Sequence, residues 1–119
     1  MNVDADDGRI GYLLGRLFAV IEHAQLRGGG GGEPACMRMM DIASKVPQRV
    51  FPDLLRLYYR CVCKLGESNE GAALRLESNL DEIFSSMEKQ SGVPNTLSAE
   101  DQCLFFLGYR LQRLDLRKA

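Results

Sequence analysis

Apolar residues recur three and four apart in long stretches broken by Gly, Pro and Asn, and strand-type alternation is nearly absent, so the chain reads as all-α. The first period predicts a helix from about Arg9 to Arg27, with Ile10, Leu13, Leu14, Leu17, Val20, Ile21 and Ala24 on its core face. Gly11, Gly15 and Ala19 form a second stripe of small residues. Gly weakens a helix interior by up to about 1 kcal/mol against Ala, so the stripe predicts close approach of another backbone. The glycine run Gly28–Gly32 lacks the Lys-Ser/Thr ending of a phosphate-binding loop and follows no strand, which makes it a flexible connector. A short helix is expected over about Ala35–Ser44. A third helix, over Lys45–Leu65, has Pro47 in its first turn, Pro52 placed to kink or restart it, and Gly66 to close it. The fourth runs from about Gly71 to Gln90, with Leu74, Leu76, Leu80, Ile83, Phe84 and Met87 inside and Glu70, Glu77, Asp81, Glu82 and Glu88 outside. After a Gly92–Asn95 turn, Ser98-Ala99-Glu100-Asp101 has the form of a capping box for a fifth helix reaching about Leu116. Leu104, Phe105, Leu107, Leu111 and Leu114 supply its apolar side. Short turns predict antiparallel packing into a compact bundle of four to five helices.

The third helix carries the most uneven distribution of charge. At about 100° per residue, Lys45, Arg49, Arg56, Arg60 and Lys64 fall within an arc of roughly 100°, interrupted by Asp53 alone. Phe51, Leu54, Leu55, Tyr58, Cys61, Val62 and Leu65 point the other way. A solvating face usually mixes signs to gain from Glu–Lys pairs a turn apart. A row of bases with one acid suits a polyanion such as a nucleic-acid backbone. Arg110, Arg113 and Arg117 form a second basic strip on the fifth helix.

Length and composition bound the rest. At 119 residues the chain is one domain, 1–119, with an acidic, flexible N-terminus over 1–8 and a glycine loop over 28–34. Fifteen Lys and Arg balance sixteen Asp and Glu overall, but the acids concentrate in residues 1–7 and 66–90. Eleven of the fifteen bases are Arg, the side chain suited to bidentate phosphate contacts. Cys36, Cys61, Cys63 and Cys103 contain no C-x-x-C pair, and His23 is the sole histidine, so zinc and other cofactors are not expected. Asp81 and Glu82 diverge as neighbours, and Glu77 with Asp81 lacks a third ligand. No catalytic constellation forms, and an enzyme is not expected. The acidic start and the interrupted apolar run Tyr12–Ile21 give neither a signal peptide nor a membrane span, which predicts a soluble cytoplasmic protein with reduced thiols.

Three segments read together carry a family likeness: Tyr12–Val20 (YLLGRLFAV), Val50–Leu57 (VFPDLLRL) and Leu97–Arg113 (LSAEDQCLFFLGYRLQR). In order and spacing they resemble the C-terminal part of the large subunit of type I-C CRISPR Cascade complexes, over about Gly11 to Leu114. A chain beginning with Met at this point resembles the small subunit, which in type I-C systems arises by internal translation initiation within the large-subunit gene. Two features depart from the family pattern: the five-glycine connector, and Met39–Pro47, which matches the usual loop only loosely.

The resemblance implies a non-catalytic bundle whose copies stack along the belly of the ribonucleoprotein, beside the large and backbone subunits. There it would touch the guide RNA–target DNA duplex and help hold the displaced non-target strand of the R-loop. Guide pairing reads sequence, so such a protein needs only backbone and shape contacts. The expected contacts are Arg49, Arg56, Arg60 and Lys64, with Lys45, Arg110, Arg113 and Arg117 in support. Tyr59, beside the basic arc, is placed to stack on an unpaired base, although packing on the helix flank is its commoner role. The small-residue stripe of the first helix and the Met37–Met40 patch are candidate contacts with a neighbouring copy. The alternative is a protein–protein adaptor, its basic strips docking on acidic strips of a neighbour without nucleic acid.

Overall fold

A computed structural model of the chain describes residues 9–29, 35–90 and 92–118. Among them are five α-helices and a 3-10 turn, with no strand: α1 (Ile10–Gly28), the 3-10 turn (Ala35–Met39), α2 (Met40–Lys45), α3 (Pro47–Ser68), α4 (Glu70–Met87) and α5 (Ala99–Arg117). The all-α bundle expected from the periodicity is what forms. The acidic N-terminus over 1–8 and residues 30–34 of the glycine loop lie outside the described residues.

α1 is the central helix. Every residue from Gly11 to Glu22 is buried, not only one face, because α3, α4 and α5 all pack around it. Its small stripe does what small residues allow: a Cβ at Gly11 would strike the Asp101 carbonyl oxygen, and one at Gly15 the Phe105 carbonyl oxygen. Gly108 of α5 returns the relationship against the Tyr12 carbonyl. This order along the two helices makes α1 and α5 parallel neighbours, where short turns alone predict antiparallel packing throughout. The stripe is therefore covered within the fold and is not a surface for another copy. Phe18 fixes the pair laterally, edge-on to both Phe105 and Tyr109 at 5.9 Å between ring centroids.

Helix ends follow from caps. Ser98 accepts a hydrogen bond from the Asp101 amide at 3.1 Å, starting α5 where the capping box predicts. The Asp101 carboxylate also accepts from the Gly11 amide at 3.3 Å, so one acid serves the first turns of both parallel helices. Gly66 does not close α3. The helix runs on to Ser68 and stops at Asn69, whose non-helical backbone turns the chain and whose side chain caps α4 through the Ala72 amide at 3.0 Å. Pro52 leaves α3 unbroken. Gly28 belongs to α1 and not to the connector: it is buried, and a Cβ there would meet the Cys61 carbonyl of α3.

Several apolar assignments change, and Leu104, Leu107 and Leu111 of α5 are only half-buried. Leu74 of α4 and Leu114 of α5 are exposed. In α5 the inward stripe is Phe105, Gly108, Gln112 and Leu116, which contains a glycine and an amide and so does not register as apolar. Gln112 is buried because Arg16 needs it: Arg16 Nε donates to its side-chain oxygen at 2.8 Å, and Arg16 Nη2 reaches Glu82 at 3.3 Å. No helix of the described residues is long and apolar enough to cross a membrane.

Candidate nucleic-acid interface

α3 supplies the candidate surface because it divides its residues sharply. Val50, Phe51, Leu54, Tyr58, Cys61, Val62 and Leu65 are buried against α1 and α4, which fixes the helix rotation. That rotation leaves Arg49, Arg56, Arg60 and Lys64 exposed to solvent along the opposite side. These four follow one another at one or two turns, with one exposed acid, Asp53, inside the stretch and another, Glu67, beyond Lys64.

The bases are not equivalent. Arg49, Arg60 and Lys64 have no carboxylate within ion-pair distance among the described residues. Arg56 is paired with Asp53 one turn back on the same helix. Lys45 does not belong to α3: Val46 breaks the helix before Pro47, and the Lys45 ammonium pairs with Asp41 at 3.1 Å within α2. Its carbonyl accepts from the Leu97 amide at 2.9 Å, tying α2 to the loop before α5. Exposed pairs of this kind are worth little and exchange readily with another anion, so they dilute positive charge without abolishing it.

The α5 strip divides as well. Arg110 and Arg117 are exposed, with no ion pair among the described residues. Arg113 is exposed but engaged: Nε lies 3.6 Å from Glu22, whose carboxylate is buried, and the guanidinium sits 5.9 Å from the Tyr109 ring centroid. Tyr109 donates to the same carboxylate at 2.7 Å. Arg113 thus compensates a buried carboxylate, which dilutes the positive charge it offers to a phosphate.

Folding also brings in bases that no single-helix pattern reveals. Because α1 crosses α3 at Gly28, Arg27 comes beside Lys64, and the two line a shallow concavity with Glu67 and Ser68. Around the same end of α1, His23 is half-buried, and its imidazole is held below its ordinary pKa by burial and then by Arg27, Arg75 and Arg117. Arg75 is committed structurally, donating to the Asp115 and Leu116 carbonyls at the end of α5 at 2.9 and 3.4 Å. The exposed side chains of α4, by contrast, include Glu70, Glu77, Asp81 and Glu82, with Glu88 just past its end, so basic and acidic strips lie on adjacent helices.

No curated protein sequence matches the chain. A family model described as CRISPR-associated protein (Cas_Csd1) matches residues 1–117. That match takes in all three segments that carry the family likeness, and these are the segments that build the α1–α3 and α1–α5 packing. The chain belongs to the Cas_Csd1 family of CRISPR-associated proteins.

Proposed function

We propose that this chain is the non-catalytic small subunit of a type I-C CRISPR Cascade interference complex. It lines the belly of that complex in the cytoplasm beside the large and backbone subunits, and holds the guide–target duplex and the displaced non-target strand by their phosphates. The observation that carries this reading is the row Arg49, Arg60 and Lys64 on α3, exposed and without carboxylate partners among the described residues, in a family of CRISPR-associated proteins. Arg56, Arg110, Arg117 and Arg27 extend the field. Such interactions position a strand without reading it, which is sufficient where the guide supplies sequence recognition.

A protein-docking role for a different strip has its own support. Leu74, 56% exposed on α4 among acidic residues, is an apolar anchor suited to a neighbouring subunit. The two strips need not share a partner: α3 faces nucleic acid and α4 faces protein.

Replacing Arg49, Arg60 and Lys64 together by Ala tests the division. A complex of normal size and composition with weakened DNA binding is expected. Failure to assemble, with DNA binding by the remaining subunits intact, would assign α3 to protein docking instead.

A further inference from the structure

We infer that the concavity between the 3-10 turn and α3 receives an unpaired nucleobase, stacked on Tyr59, with the adjoining phosphate on Arg60. This rests on the proposed backbone-binding role of α3 and specifies the form of nucleic acid that α3 takes at that point. The concavity encloses about 670 Å³, the size range of sites for small molecules. Met39 and Leu57 give it apolar surface, and Arg56, Arg60 and Asp53 give it charged edges.

Tyr59 is the feature that a solvated helix face does not need. It is 50% exposed on the polar side of α3. Its ring is set edge-on against the fully buried Tyr58, 5.2 Å between centroids with 75° between planes. An exposed aromatic held by a buried one is already ordered, so stacking on it costs little further entropy.

The lining selects the ligand. A free phosphate would use the arginines and leave the apolar surface idle. An apolar peptide would use that surface and leave Arg60 without a partner of opposite charge, since Arg56 alone of the two arginines is paired, with Asp53. A nucleotide uses both, and Asp53 can accept from an exocyclic amine at the base edge. Bases in a duplex are stacked on their neighbours and cannot enter, so the occupant is a single strand or an unpaired end.

The assembled complex, given a single strand carrying 2-aminopurine, provides the test. Wild type and Tyr59→Phe should both quench the probe. Tyr59→Ala and Tyr59→Leu should restore its fluorescence and weaken single-strand binding by about five- to 150-fold. The salt dependence and the affinity for a fully paired duplex should not change, because every phosphate keeps its cationic partner. Arg60→Ala should reduce the salt dependence. If the Tyr59 variants retain quenching and affinity while Arg60→Ala still reduces the salt dependence, the base site is wrong and the backbone role stands. If neither Tyr59 nor Arg60 variants change binding, both fail. Loss of the subunit from the complex on Tyr59→Ala would make the concavity a protein-docking surface and overturn the inference.

Discussion

Arg113 stands 3.6 Å from Glu22, and of the two side chains it is the carboxylate that is buried. The guanidinium and the Tyr109 hydroxyl together hold a negative charge inside the α1–α5 interface. Arg113→Ala should therefore lower stability by roughly 1–2 kcal/mol, less than for a fully buried pair because Arg113 remains partly solvated. DNA affinity of the assembled complex should fall little. Thermal unfolding and a binding titration on the same variant check both halves; unchanged stability with a large drop in affinity would return Arg113 to the nucleic-acid surface.

Gly15→Ala separates helix propensity from packing. Ala favours an isolated helix by about 1 kcal/mol, yet here its methyl group would run into the Phe105 carbonyl. Backbone cannot rotate aside as a long side chain can, so a net destabilisation of about 1–3 kcal/mol is expected from overpacking. Denaturant midpoints measure it, and a stabilised variant would show that α1 and α5 are farther apart than this packing requires.

His23 makes stability depend on pH in a known direction. Its folded-state pKa lies below the ordinary 6.5, chiefly through burial and then through Arg27, Arg75 and Arg117. The unfolded chain therefore takes up the proton first. Stability is fully present above about pH 6.5 and declines as pH falls through the window down to the lowered folded value. His23→Gln should flatten the melting temperature between pH 7.5 and 5 relative to wild type, and an identical slope in both would contradict the assignment.

The thiols should divide by burial. Cys36 is fully buried and its pKa is pushed up to about 12, first by burial and then by Glu22, while burial also raises Cys61. Cys63 and Cys103 are exposed. Alkylation of the native protein at pH 8 should mark Cys63 and Cys103, with Cys36 and Cys61 reacting after denaturation. Mass spectrometry of the labelled peptides reads the pattern; prompt labelling of Cys36 would place it at the surface.

How legible these features are in the sequence depends on the range of the interactions behind them. Helix content, the α3 amphipathy and the Ser98 cap rest on residues within a turn or two, and each is visible as spacing. The use of Gly11 and Gly15 for close approach is also visible, because glycine in a helix interior needs a reason. The parallel course of α1 and α5 is not, since it is set by approaches such as that of Gly15 to Phe105, which no local period encodes. Arg113 and Arg60 look alike in the sequence; only the fold shows that a buried Glu22 claims one of them. Lys45 joins the basic arc only if the helix is counted as continuous, and Val46 removes it.

The central claim is that the exposed Arg and Lys side chains of α3 hold nucleic-acid phosphates, and the salt dependence of binding addresses it most directly. In the assembled complex bound to single-stranded DNA, Arg60→Ala with Lys64→Ala should reduce the steepness of log affinity against log salt by about 1.4 units, roughly 0.7 for each phosphate that no longer has its cation. Assembly should be unaffected. An unchanged slope in an intact complex would contradict the claim.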